Sequence, residues 1–261
     1  MTPTDKPLLD TRGLCKYFGG VEALNRVSLL IHSGEIRGLI GPNGAGKTCL
    51  LNLLSGLYSP SGGTIVYEGL DITRKPSRVR PYLGIARTFQ VAQVCPEMTV
   101  LENVLLGFYR GMEQSALAAI LRPGTLKRSL MELEKEGREL LRFVELSEWE
   151  QVPAARLAYG QRKILEVARA LAGDPRLLLL DEPTAGLNPS EVEKLKGYVV
   201  ETNRRGATIL LVEHNMRLVM DLCQRVTVLS SGAIISEGSA AEIQSDKGVV
   251  EAYLGRRWSR A

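Results

Sequence analysis

The sequence predicts an α/β fold built on a mainly parallel sheet with helices on both faces. Its signs are the apolar run "EIRGLI" (Glu35–Ile40) feeding a glycine-rich loop, and the later runs "RLLLLDEP" (Arg176–Pro183) and "ATILLVEH" (Ala207–His214), with helical segments between them. Apolar runs that do not alternate suit strands buried on both faces, and intervening helices supply the crossovers that parallel strands need.

Taken in order, Leu8 to Ile31 reads as short strand-like runs broken by "FGG" (Phe18–Gly20). "EIRGLI" then leads through "GPNGAGKT" (Gly41–Thr48) into the helix "CLLNLLSGL". "TIVYEG" and "IARTFQ" read as further short strands, with Gln90 ending the second. Between them Arg74, Lys75, Arg78 and Arg80, followed by Arg87, form a basic cluster that reads as a solvated face, with anionic lipid headgroups as an alternative contact. From Val91 to Gln151, Leu126, Leu130, Leu133, Leu140 and Val144 recur at helical spacing among charges, which predicts a helical insertion packed through that stripe. Strand and helix then alternate again. "LAYGQRK" opens an apolar-periodic segment that runs to Ala172, Ser190 to Arg205 is helical, "NMRLVMDLC" is a helix, and "RVTVLSSGAIISEG" is two strands around a Ser-Gly turn. This divides the chain into 1–90, 91–160, 161–238 and a C-terminal helix with basic tail, 239–261.

Composition narrows the function classes. The 261 residues are 44% hydrophobic and 24% charged, with a net charge of +4, as in ordinary globular proteins. Cys15, Cys49, Cys95 and Cys223 have no paired spacing, and His32 and His214 are the only histidines, which argues against a disulfide framework or a zinc site. The N-terminus lacks a signal-peptide core, and the aliphatic runs fall short of the roughly 20 residues that span a bilayer.

"GPNGAGKT" fits the phosphate-loop pattern G-x-x-x-x-G-K-[ST] in the strand-to-helix context that pattern requires. Gly41, Gly44 and Gly46, with Pro42, Asn43 and Ala45 between them, let the backbone curl so that its N–H groups face phosphate oxygens. The helix beginning near Lys47 adds about half a positive charge at its N-terminus. Lys47 reaches the β- and γ-phosphates, the Thr48 hydroxyl ligates Mg²⁺, and Cys49 continues the nucleotide-binding stretch. "LLLLDE" places Asp181 to hold Mg²⁺ and Glu182 to act as general base on the attacking water. Gln90 carries both a donor and an acceptor for Mg²⁺ and that water, and His214 is placed to donate to the γ-phosphate and orient the water.

The ordered set "GPNGAGKT", "RTFQ", "LAYGQ", "LLLLDEPTAGLNP" and "VEHNM" resembles the nucleotide-binding subunits of ATP-binding cassette (ABC) transporters over almost the whole chain. The resemblance implies a P-loop NTPase core with an N-terminal antiparallel β subdomain and a helical subdomain insertion. It implies ATP and Mg²⁺ as cofactors, with Phe18 stacking on adenine beside Tyr17. It also implies a head-to-tail pair in which "AGLNP" (Ala185–Pro189), including Asn188, crosses the interface. Leu157, Ala158, Tyr159, Gly160 and Gln161 fall on the signature sequence, usually Leu-Ser-Gly-Gly-Gln, which closes over the ATP of the partner chain. Here Ala158 replaces the Ser, whose hydroxyl on a charged phosphate is worth roughly 1.5–3 kcal/mol, and Tyr159 replaces a Gly.

"ARTFQ", "MTVLENV", "LAYGQ", "DEPTAGLNP", "MRLVM" and the ending "AYLG" resemble the branch that serves branched-chain amino acid importers. That branch implies a second ATPase subunit, two membrane permeases, an indirect link to a periplasmic or surface solute-binding protein, and a place on the cytoplasmic face of the plasma membrane. Importers of urea, amides or other amino acids and the lipopolysaccharide-export ATPase are alternatives. A soluble cassette acting on ribosomes or DNA fits less well, because the chain has one cassette and no sustained heptads, and no nucleic-acid partner is expected. A non-hydrolysing regulator is disfavoured by the presence of both Glu182 and His214.

Overall fold

The computed structural model describes residues 7–108, 123–246 and 249. The "AYLG" ending, the basic tail and the side chain of Leu126 lie outside the described residues.

Two sheets organise the chain. In the first, β1 (Pro7–Phe18), β2 (Val21–His32), β4 (Gly62–Tyr67) and β5 (Leu70–Asp71) are antiparallel in the order β2-β1-β4-β5. Leu24, Val27, Leu29 and Ile31 of β2 point inward while their neighbours are mostly exposed, the alternation of a sheet with one wet face. The second sheet has the order β10-β9-β3-β8-β7-β6. Within it β3 (Ile36–Ile40), β6 (Ile85–Arg87), β7 (Leu177–Asp181), β8 (Thr208–Val212) and β9 (Arg225–Ser230) run parallel. β10 (Ala233–Gly238) returns antiparallel to β9.

Every residue of β3, β7 and β8 is buried, because both faces of this sheet are covered. Leu177 and Leu179 face the core shared with α1 (Lys47–Leu54) and the antiparallel sheet. Leu178 and Leu180 face the opposite core, with Val199 of α5 (Pro189–Arg204) and Leu218, Val219 and Leu222 of α6 (Met216–Leu222). A third core joins α2 (Val100–Leu105), α3 (Pro123–Phe143) and α4 (Tyr159–Ala172) through Val104, Leu141, Leu165 and Ala168. The start of α2 is fixed by a capping box, in which Thr99 accepts from the Glu102 N–H and Glu102 accepts from the Thr99 N–H. A short helix α7 (Ala240–Ser245) follows β10 and is capped in the same way by Ser239 and Glu242.

Three expectations are corrected. β6 stops at Arg87, so Gln90 does not end the strand. After the Thr88 N–H bonds the Leu179 carbonyl, the backbone turns away toward α4. Leu130 is 42% exposed, so the leucine stripe of the insertion is not wholly core, although Leu133 and Leu140 are partly buried against it and Val144 fully so. Arg80 and Arg87 leave the supposed solvated face. Arg80 is buried and donates to the Ile72 carbonyl at 2.7 Å, and burial lowers its guanidinium pKa to about 10.

Leu179→Ala is expected to lower the unfolding free energy by about 3 kcal/mol, because it opens a cavity beneath α1. Leu130→Ala should change it by no more than about 0.5 kcal/mol. Urea denaturation of both variants checks the contrast.

Candidate active site

The glycine-rich loop is shaped by close packing of backbone on backbone. A Cβ on Gly41 would lie 2.0 Å from the Leu229 carbonyl oxygen of β9, so only glycine fits between the strands. Gly46 has φ 103° and a Cβ there would come within 2.7 Å of the Ala23 carbonyl oxygen. The Gly232 N–H donates to the Ala45 carbonyl at 3.0 Å, which pins the loop to the β9–β10 turn. α1 begins at Lys47, with Asn43, Gly44 and Thr48 exposed around its N-terminus and Pro42 half-buried. Lys47 Nζ donates to the carbonyls of Gly41 at 2.7 Å and Pro42 at 3.0 Å. Burial lowers the Lys47 pKa, and the charges of Glu182 and Asp181 oppose that shift. Cys49 is partly buried against the core beneath the loop, and burial pushes its thiol pKa up.

At the end of β7 two acids have different surroundings. Asp181 is buried, and its Oδ2 accepts from Arg87 at 3.1 Å. Arg87 also donates to Asn52 Oδ1 at 2.6 Å and Ser55 Oγ at 2.9 Å, and its guanidinium stacks 4.8 Å from the Phe89 ring. Burial raises the Asp181 pKa, with Arg87 pulling the other way. Asp181 Oδ1 is buried without a hydrogen-bond partner. A buried, unpaired carboxylate oxygen suits a hard cation or its water, and Thr48, Gln90 and Asp181 offer only oxygen donors, the chemistry Mg²⁺ takes. The residues therefore fit that ion.

Glu182, one residue on, has left the strand with φ 46°, a left-handed conformation unusual for a side chain of this size. The turn aims its carboxylate between two side chains from the segments that follow β6 and β8. Gln90 Nε2 donates to Oε2 at 3.0 Å, and His214 Nε2 lies 2.9 Å from Oε1. His214 follows β8, and its backbone N–H donates to the buried Glu213 at 3.0 Å. Glu213 also accepts from the Thr184 N–H at 2.9 Å and the Thr184 hydroxyl at 2.6 Å, which fixes the two strand ends together. Gln90 lies 92 positions before Glu182 and His214 a further 32 beyond it, and the three thus meet at one point.

The "LAYGQ" turn caps α4. Ala158 stands at the N-cap with no side-chain acceptor, and its own N–H donates to Gln161 Oε1 at 2.9 Å. Leu157 is buried, anchoring the turn. Gly160 meets the start of α5, where a Cβ would lie 2.1 Å from Glu191 Oε1. Glu191 itself accepts from the Asn188 N–H at 2.9 Å, while Asn188 Oδ1 caps the helix. Tyr159, 41% exposed, lies over Gly186 of the same chain. On the antiparallel sheet Phe18, 44% exposed, makes an edge contact with Tyr58 at 5.4 Å, with Lys16 Nζ 5.0 Å above its ring.

Residues 24–185, which carry the loop, the β7 acids and the "LAYGQ" turn, match the family described as ABC transporter. The chain belongs to the ABC transporter family. Residues 233–258 also match the family described as branched-chain amino acid ATP-binding cassette transporter. The chain is 38% identical to a high-affinity branched-chain amino acid transport ATP-binding protein, BraF, of Pseudomonas aeruginosa, over 96% of this chain and 98% of that one. It is 39% identical to the corresponding LivG of Salmonella typhimurium, again over 96% and 98%. Among solved structures, the ADP conformation of an ATP-binding cassette of an ABC transporter, MJ1267, superposes with a TM-score of 0.81 at 33% identity, covering 96% of this chain and 99% of the other.

Several residues of this cassette site were missed by sequence reasoning. Tyr58 carries no local signal. Arg87 was legible only as one member of a basic cluster. Lys163 and Glu166 had a signal that could have found them, since they share the buried face of α4 with Gly160, Ile164 and Val167. Charges on the apolar face of an amphipathic helix need partners.

Arg87→Met should destabilise the protein by about 3 kcal/mol, because it leaves Asp181 buried without its cation. Adding Asp181→Leu should recover most of that loss. Urea midpoints of the single and double variants check the prediction.

Proposed function

We propose that this chain is the ATP-binding and ATP-hydrolysing subunit of an importer for branched-chain amino acids. The observation that carries the hydrolysis reading is the Glu182 carboxylate, bracketed by Gln90 and His214 at the strand end that follows the Mg²⁺-suited Asp181. The substrate class is supported by the names of the relatives at 38–39% identity and by the match of residues 233–258.

In this reading the loop Gly41–Thr48 holds the phosphates through backbone N–H groups and Lys47. Cys49 continues that stretch, and Phe18 stacks on adenine. Thr48, Asp181 and Gln90 would hold Mg²⁺, which neutralises charge on the phosphate oxygens. Glu182 takes the proton of the attacking water. Gln90 and His214, both already on its carboxylate, orient that water and the γ-phosphate. Leu157–Gln161 and Asn188 serve the nucleotide of a second ATPase subunit packed head to tail.

No helix among the described residues is long and apolar enough to cross a membrane. Membrane attachment is assigned to two partner permeases on the cytoplasmic face, with a solute-binding protein engaged indirectly through them. Co-purification tests this assembly, since nucleic acid in place of permeases would overturn it. Turnover coupled to transport would make the chain one of the ATP hydrolases that move solutes.

Glu182→Gln should retain binding of a fluorescent ATP analogue and lower phosphate release by about 10²-fold or more. Undiminished release would refute the base assignment. Ala158→Ser in that background should tighten ATP-dependent pairing of two chains by about tenfold or more, through the added hydroxyl on phosphate. Sedimentation measures it, and unchanged pairing would make the missing hydroxyl irrelevant.

A further inference from the structure

The loop that carries Gln90 has few bonds to its own strand, yet its end is held at several points, and the groups that hold it come from α4. Glu166 is 1% exposed, and its Oε1 accepts from the Phe89 N–H at 3.1 Å and the Gln93 N–H at 3.2 Å. One oxygen thus closes the five residues Phe89–Gln93 into a loop. One helical turn earlier, Lys163 is 3% exposed and its Nζ donates to the carbonyls of Phe89 at 3.3 Å, of Gln90, and of Glu182 at 3.3 Å. A single ammonium therefore ties together the backbone of Gln90 and the backbone of Glu182, whose side chains meet 3.0 Å apart. Burying a carboxylate and an ammonium is costly unless each is bonded. Here the ammonium bonds the backbone of the two residues whose alignment the chemistry needs, while the carboxylate bonds Phe89 and Gln93 on either side of Gln90.

We propose that Lys163 and Glu166 are positioning residues. Lying on the helix that begins at the Gly160 turn, they set the Gln90 side chain against the Glu182 carboxylate, and neither touches the nucleotide. The inference rests on the reading of Glu182 as the base. It also gives that helix a second task, since the element whose N-terminus is assigned to a partner's nucleotide holds this chain's own Gln90 loop within its first two turns. Glu166 Oε2 makes no hydrogen bond, so an amide nitrogen can take its place in Glu166→Gln without breaking one. Glu166→Leu removes the acceptor altogether.

The first test needs no nucleotide. Hydrogen exchange at the Phe89 and Gln93 amides should speed up by about tenfold or more in Glu166→Leu and stay within about threefold of the parent in Glu166→Gln. The second is steady-state hydrolysis. Glu166→Leu and Lys163→Met should each lower kcat by about tenfold with KM changed less than about twofold, and Glu166→Gln should restore most of the rate. In a Gln90→Ala background the further loss from Glu166→Leu should be less than about twofold, because a residue acting through Gln90 has nothing left to position.

Unchanged amide exchange, a loss confined to KM, or equal losses with and without Gln90 would overturn the proposal. If Glu166→Leu does not fold, Lys163→Met carries the same kinetic test, and the exchange comparison passes to Lys163→Met against Lys163→Arg. A parent protein that binds ATP and never hydrolyses it would sink the catalytic reading instead, and the exchange measurement would still decide whether the clasp exists.

Discussion

Everything at the candidate site depends on a strand that cannot shift. Leu177 to Leu180 are buried alternately in two separate cores, one beneath α1 and one beneath α5 and α6. A strand gripped from both sides has no soft direction, because moving it opens a void on one face and a clash on the other. Asp181 and Glu182 inherit that rigidity. The left-handed backbone at Glu182 is tolerable for the same reason, since the surrounding packing fixes the turn more strongly than the local strain opposes it.

The site is assembled by charged and amide side chains reaching between elements distant in sequence. Arg87 crosses from β6 to Asp181, Lys163 and Glu166 reach from α4 to the Gln90 loop, and Glu213 secures Thr184 beside its own neighbour His214. Such contacts are strong only where water is excluded, and each leaves a penalty when one member is removed. The sheet therefore supplies position, and the buried polar network supplies alignment at the strand ends.

This division explains what could be read from the sequence. The parallel sheet was legible in "EIRGLI", "RLLLLDE" and "ATILLVE", because a strand buried on both faces is written locally as an uninterrupted apolar run. The glycine loop and the adjacent acids were legible because their spacing is fixed within a few residues. The partners of Arg87, Lys163 and Glu166 were not, since those pairs span 94, 73 and 77 positions and only the folded chain brings them together. The end of β6 was misplaced for a related reason. "IARTFQ" keeps a strand-like composition beyond Arg87, and the backbone leaves the sheet because Glu166 offers it other bonds.

The contact between Gly160 and Glu191 bears on how variants of the "LAYGQ" turn are interpreted. A side chain at position 160 would push aside the Glu191 carboxylate of its own chain before any second chain arrived. Replacing the glycine thus has an effect within the subunit, the displacement of Glu191 from its cap on Asn188, beside any effect on the proposed approach of a neighbour's phosphate. A loss of activity on replacing it is consequently ambiguous as genetic evidence for contact between subunits. Ala158 carries no such intramolecular demand from a side-chain bond, which makes it the cleaner position for separating the two roles.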